Sequence, residues 1–447
     1  MLAVFLLLPL AAAAVTNAAP TGRTALTLYM RDLGFVRESR RLDLHGSRDT
    51  VRIDDVPARI DFTSVRLVPE SGKVTRLAYR YDVATVDGLL ERARGSRVRV
   101  TMRGDRTVEG TLVSSDGEWV VLRESTGGVR TLARTAVEDI ALASASPGTF
   151  TKPTLEAVVE GGKSGGTNAE LSYLTGGLGW SAEHMLVRTG EATGTWSTNV
   201  SIDNTTGRTF DNVALKLVAG EPRRATPPMP MPYERGMAMA AKVESQSADL
   251  SEQSFSEYHL YTLDRPATVR DKESQQLSML EPRKVKLTPR YLYRGQEGTV
   301  VHAQLELLND EANGLGVPLP AGRVRVFEAD AQGDLQFTGE PTITHTASGE
   351  KLTLDVGTAF DIVGERRETD NKRVSDRERE YSVELKVRNR KKTAVTVIVQ
   401  ETLAGSDVEI LTKSQDFTRK DANTIEFTVP IAAGKEATVT YSARVRY

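Results

Sequence analysis

The chain has 447 residues, more than one hydrophobic core accommodates, so several domains are expected. Its 58 Lys and Arg nearly balance 60 Asp and Glu, and the formal net charge of −2 excludes a global field steering the protein to nucleic acid or an acidic membrane. Cysteine is absent, which excludes disulfides, thiolate metal sites, iron–sulfur clusters and thiol nucleophiles.

The N-terminus, MLAVFLLLPLAAAAVTNAAP, carries an apolar run of signal-peptide length that ends in small residues. Residues 1–19 therefore read as a signal peptide. Cleavage after Ala18 is favoured, because a cut after Ala19 would place Pro20 first. No Lys or Arg precedes the run, which leaves the translation start open, and no Cys follows it, which excludes a lipoprotein anchor. No later apolar run reaches the length of a membrane span, so no transmembrane segment remains after signal removal. The expectation is an exported protein of the periplasm or outer cell surface.

Residues 23–84 read as an N-terminal β domain, in which LTLYM, SVRLV and KVTRLAY are rich in β-branched and aromatic residues or alternate in polarity. Over residues 85–145 a short helix is predicted in DGLLERARG, with an acidic start and Gly95 as its stop. Five short strands follow, with tight turns at Gly104-Asp105, Asp116-Gly117 and Gly127-Gly128. A helix and five bent strands suggest an inserted small barrel of SH3-like or Sm-like type. Between Glu91 and Asp139 nine Arg face eight acids, with no Lys and Trp119 as the one aromatic, so the stacking platform and basic groove of a nucleic-acid binder are missing. A spacer or protein-contact role fits better.

Residues 151–220 return to β pattern, as the first part of a C-terminal β-sandwich region. LEAVVE and AELSYL flank the glycine-rich GGKSGGTN. Gly162-Lys163-Ser164 mimics the end of a phosphate loop, but the required first glycine falls at Ala157 and no helix pattern follows. Gly162, Ser164 and Gly166 match G-x-S-x-G in form, yet a nucleophile elbow needs a helix after the serine. A hairpin loop is the expectation. Tyr173, Trp180 and Trp196 lie on predicted strands; core positions are favoured over an exposed sugar-binding or partner-binding set.

Residues 221–255 are rich in Pro, Met, Ala and Ser without sustained period and are expected to form a disordered loop. Met229, Met231, Met237 and Met239 make two M-x-M pairs suited to Cu(I), although no His lies in the loop. Residues 256–447 read as the rest of the C-terminal sandwich region. In FEADAQGDLQF, Glu328, Asp330, Gln332 and Gly333 resemble half a calcium loop, but Gly339 stands where the closing acid belongs and Glu340 is one position late; a turn explains the same residues. The charged run GERRETDNKRVSDRERE reads as a solvated hairpin. SIDNTTG, LLNDEANG and KVRNRKK each end a strand in an Asn that opens a polar turn, because Asn tolerates the left-handed region and satisfies its own turn backbone. Their recurrence suggests related Ig-like units. The histidines, His45, His184, His259, His302 and His345, are far apart, so zinc would need long-range assembly.

LSYLTGGLGW resembles the signature of a bacterial domain of unknown function that forms the C-terminal part of mucoidy-inhibitor-A-like proteins. The resemblance continues through NVALKLVAGEP, FSEYHLYTLDRPATV, PLPAGRVRVFEAD, FTGEPTITHTASGEKLTLDVGTAFDIV and EATVTYSARVRY, from about Thr151 to Tyr447, and GFVRESRRLDL and VRIDDVPARIDFTSVRL look like that family's N-terminal β domain. Longer relatives carry a coiled coil where this chain has the small barrel, and SAEHMLV departs from the family pattern near His184. The resemblance implies an envelope protein connected with surface polysaccharide, offers no catalytic residues, and marks Tyr173, Gly176, Gly177 and Trp180 as structural or partner-contact positions.

The sequence thus points to a mainly β, multi-domain protein of antiparallel sandwiches, acting as a non-catalytic envelope interaction or structural module without cofactor or metal. Its partner would be an envelope protein or surface polysaccharide. The alternatives are a carbohydrate-directed enzyme or sugar-binding protein, and a Cu(I)- or Ca-binding envelope protein.

Overall fold

The computed structural model describes residues 15–81, 86–142, 152–220, 222–223, 245–246, 250–255, 257–405 and 407–446. Strands dominate, and their formation follows from side-chain alternation. In Gly34–Leu44, GFVRESRRLDL, every second residue is buried. A period of two places Val36, Leu42 and Leu44 in the core and, between them, Glu38 and Arg40.

This strand pairs antiparallel with Pro20–Tyr29 on one side and Gly165–Thr175 on the other. Pro20–Tyr29 in turn pairs parallel with Phe210–Ala219. In the facing sheet, Thr154–Glu160 lies between Arg48–Ile53 and Lys73–Arg80. Leu26, Leu42, Val51, Leu155, Leu171, Trp180 and Leu215 share one buried cluster. The N-terminal β domain expected over residues 23–84 is therefore corrected: its strands share their two sheets with Thr154–Glu160, Gly165–Thr175 and Phe210–Ala219, and with Leu250–Phe255, Tyr258–Leu263 and Ala267–Val269 at the far edge. Each half alone leaves an apolar sheet face uncovered.

Between the halves the chain builds the inserted unit. Helix Val86–Arg92 is followed by five strands, with Val137–Leu142 returning beside Arg97–Met102 and Val129–Ala133 at the opposite end. Gly95, at φ +82, ends the helical turn, and its N–H donates to Leu112 O at 2.8 Å. Leu90, Ala93, Val100, Val120 and Leu122 form a core of its own.

Two more cores follow. Leu186, Trp196, Leu305, Val324 and Leu354 lie in one. Val383, Leu385, Val397, Phe427 and Tyr441 lie in the other, where a six-stranded and a four-stranded sheet contribute strands. The charged run forms the outer ends of a long hairpin, Ile362–Ser375 paired with Glu378–Asn389.

Two local expectations are revised. The GGKSGGTN segment is no hairpin: Thr154–Glu160 and Gly165–Thr175 belong to different sheets, and the glycines carry the chain across. Gly161 and Gly165 have φ of +70° and +111°, which no β-branched residue tolerates. Val15–Asn17, inside the segment read as leader, pairs parallel with Thr50–Arg52, and Ala18 is buried. The recurring asparagines avoid the left-handed region. Asn204, Asn309 and Asn389 are instead almost fully buried. Asn389 Nδ2 donates to Thr393 O, Ile431 O and Ala432 O, while Oδ1 accepts from Lys391 N. Asn204 spans Arg208 O and Val269 O, and Asn309 spans Val317 O and Ala347 O. Each amide ties its own turn to a neighbouring segment. The Met/Pro-rich loop lies mostly outside the described residues, including all four of its named methionines.

Candidate functional site

The LSYLTGGLGW turn carries the chain from the eight-stranded sheet into the seven-stranded one. Gly177 has φ +81°, and a Cβ there would sit 3.1 Å from the Thr205 backbone. Its N–H donates to Asp32 Oδ1 at 2.7 Å. Asp32 also pairs with Arg59 at 2.6 Å, and Arg59 O accepts from Gly176 N at 3.1 Å. The signature turn is thereby stapled to two turns of the N-terminal half. Trp180 is buried, donates Nε1–H to Val218 O at 3.2 Å and meets the Tyr261 ring edge-on at 6.4 Å. A shallow pocket of about 240 Å³ opens beside the turn, with Asp32 and Asp203 on its walls. Asp203 accepts from Ser274 Oγ, so both carboxylates already hold structural partners.

Tyr173 leads to a feature that the sequence reading missed. Its buried hydroxyl accepts from Arg208 Nη1 at 2.8 Å. Arg208 pairs with Glu38 at 2.9 Å, Glu38 with Arg40 at 2.6 Å, and Arg40 with Asp55 at 2.7 and 3.0 Å. Glu38 and Arg40 are essentially without solvent exposure. Burial works against the Arg40 charge, but Glu38 and Asp55 outweigh it and hold the guanidinium above its ordinary value. Burial pushes the Tyr173 phenol up, with Arg208 opposing. Two cations and two carboxylates balance, and the bidentate forks fix strand Gly34–Leu44, Asp55 and the turn before Phe210 relative to one another. The signal was present in VRESRRL: the alternation that buries Val36 and Leu42 carries Glu38 and Arg40 inward.

Residues 169–447 match the profile of a family described as a domain of unknown function, DUF4139. The chain belongs to this family. No curated protein matches it significantly. Among solved structures, a chain described as a "putative protease" from Parabacteroides distasonis ATCC 8503 aligns over 96% of this chain and 92% of its own, at 9% identity and a TM-score of 0.15, too low to show even a shared fold. The DUF4139 domain begins within the strand that carries Tyr173, so the acidic half of the buried ion network, Glu38 and Asp55, comes from outside it.

Inside the DUF4139 domain, His184 and Thr198 face each other across paired strands. His184 Nδ1 lies 2.9 Å from Thr198 Oγ1 and Nε2 lies 3.0 Å from Pro320 O, while Trp196 Nε1–H donates to the same Thr198 hydroxyl at 3.2 Å. Since Pro320 O can only accept, the proton sits on Nε2 and Nδ1 accepts from threonine. Burial lowers the imidazole to about 4 despite the Pro320 carbonyl. Folding thus favours the neutral ring, and its contribution is fully present above 6.5 and is lost as pH falls through about 4. That contribution is on the order of 3 kcal/mol. Denaturation followed through Trp196 should show His184→Gln losing less stability than wild type between pH 7 and pH 4; equal losses would refute this assignment.

A second buried carboxylate, Glu401, accepts from Tyr441 OH at 2.7 Å and from Arg366 Nε at 3.1 Å. Burial raises it, with Tyr441 and Arg366 opposing. Gly295 makes room, since a Cβ there would collide with Glu401 Oε1.

The remaining sequence candidates are dispersed. Ser164 Oγ only approaches Leu44 O, at 3.5 Å, on the inter-sheet crossing. Asp330 accepts from Gln332 N, Asp334 N and Gln336 Nε2 within its turn, whereas Glu328 faces Arg188 and Glu340 faces Arg325. His259 pairs with Glu252, and His302 with Glu297 and Asp355. Among the described residues, no three such groups converge as a metal site, and no helix is long and apolar enough to cross a membrane.

Proposed function

We propose that the protein is an exported, non-catalytic interaction or structural module of the cell envelope, in the periplasm or on the outer surface. The observation that carries this reading is the long charged hairpin. Ile362–Ser375 is the end strand of its sheet, and every residue from Arg367 to Arg377 is exposed. Its alternating charges discourage indiscriminate edge pairing and provide a patterned surface for one partner. The leader and the resemblance to mucoidy-inhibitor-A-like proteins support export and a link to surface polysaccharide. The helix-first, five-stranded insert suits an Sm-like or SH3-like spacer, and the three asparagine clasps suit Ig-like units.

A photo-crosslinking residue at Thr369 or Lys372, used in living cells with mass-spectrometric identification, should capture one envelope protein. Failure to capture a protein at either position would overturn the reading. Recovery of glycan alone would favour the alternative of a sugar-binding protein, to which the Asp32–Asp203 pocket lends support.

A further inference from the structure

Another pocket, of about 140 Å³, lies within the DUF4139 domain. Strand Glu273–Lys286 forms one wall, and irregular pairing makes the space. Thr198 faces Leu280, while its neighbours Trp196 and Asn199 face Arg283 and Ser278. One residue on each side of Leu280 is therefore extra, giving two bulges, one of them at Pro282, which has no N–H for the ladder. Met279, Leu280, Tyr261 and Leu319 supply an apolar lining, and the Thr198 hydroxyl lies at the floor.

The mouth is charged. Glu252 is occupied by His259 at 2.8 Å. Arg283 is exposed and reaches only the carbonyls of Gly314 and Leu315, both at 3.4 Å; among the described residues no carboxylate pairs with it. An unneutralised guanidinium at the rim of an apolar hole fits a carboxylate. A dry cavity of roughly 150 Å³ holds a benzene ring, so this one suits a single group of isobutyl to phenyl size.

We infer that this pocket binds a carboxylate bearing one such apolar group, with the group seated against Leu280 and Leu319 and the carboxylate on Arg283. Two sources share that chemistry: a free small acid, and the C-terminal residue of a protein ending in Leu or Phe. The site is separate from the charged hairpin, so it stands or falls independently of the crosslinking result.

The test uses the intact chain carrying Trp119→Phe, because Trp196 bonds to Thr198 and Trp180 contacts Tyr261, and both therefore report on the pocket. 3-Phenylpropionate and a short peptide ending in Phe should each change tryptophan fluorescence saturably. The amidated forms and Arg283→Gln should bind at least roughly tenfold more weakly. A bulky Leu280→Phe variant should abolish the response, with thermal unfolding confirming its fold. Much tighter binding of the peptide assigns the source to a protein terminus; comparable binding assigns it to a free acid. No saturation by either probe up to about 10 mM, or equal binding of acids and amides, would overturn the inference.

Discussion

Replacing Arg208 with alanine will destabilise the first sandwich by about 3–5 kcal/mol. The substitution leaves Glu38, whose side chain is 1% exposed, with Arg40 as its one remaining cation among the described residues and a long bond from the Thr24 hydroxyl, and removes the donor to Tyr173 OH. It also removes the guanidinium stacked 4.9 Å over the Phe210 ring. Breaking one member of a buried set costs more than the set contributes overall, because a charge remains without its counter-ion. Arg208→Lys should recover part of the loss, since a single ammonium restores charge but not the fork that reaches Glu38 and Tyr173 together. The three tryptophans make the effect local: Trp180 lies in the first sandwich, Trp196 in the next core and Trp119 on the inserted unit. Denaturant unfolding of single-tryptophan variants should show the loss in the Trp180 transition and none in that of Trp119. A loss below about 1 kcal/mol would mean that the network is solvated and structurally idle.

Asn389→Ala should cost the last sandwich about 3 kcal/mol. The amide closes one turn onto the backbone beside Ile431 through contacts at 2.9, 3.1 and 3.3 Å, and its oxygen accepts from Lys391 N at 3.0 Å. Alanine leaves carbonyls and an N–H buried without partners, which is the costly side of hydrogen-bond accounting. Asn389→Asp, ionised, should be at least as damaging, because a carboxylate would face carbonyl oxygens. Hydrogen exchange should quicken in Val395–Thr402 and Thr424–Ile431 and stay unchanged in the inserted unit. Asn204→Ala and Asn309→Ala should reproduce this in their own sandwiches. A loss under about 0.5 kcal/mol at all three positions would show that the recurrence is ornamental.

Local rules made much of this legible. Alternation located the strands, Gly95 located the end of the helix, and the Asp330 turn needed only its Asp and Gly. Pairing partners were not legible, because Arg37 and Ser172 are opposite each other while 135 residues apart, and periodicity says which face a residue takes but not which strand lies beside it. For the same reason GGKSGGTN read as a hairpin when it crosses between sheets. Glu38 and Arg40 carry no sequence motif that marks them, although their strand alternates without interruption and so turns them inward. The asparagines are legible as turn formers, and Asn204 and Asn389 do accept from the N–H two residues on; that their amides are also buried clasps to a neighbouring segment is not legible. Burial at a strand end depends on the neighbouring sheet, which composition does not reveal.

All of this depends on residues 20–80 and 154–219 folding as one body through Glu38, Arg208 and the stapled signature turn. Native-state hydrogen exchange on the intact chain measures it directly. Amides of Pro20–Tyr29, Gly34–Leu44, Gly165–Thr175 and Phe210–Ala219 should open in a single cooperative unit, and Arg208→Ala should lower the protection of all four together. Opening of the first two strands at a lower free energy than the last two, with Arg208→Ala affecting only one pair, would show two independent domains and contradict the interleaved sandwich.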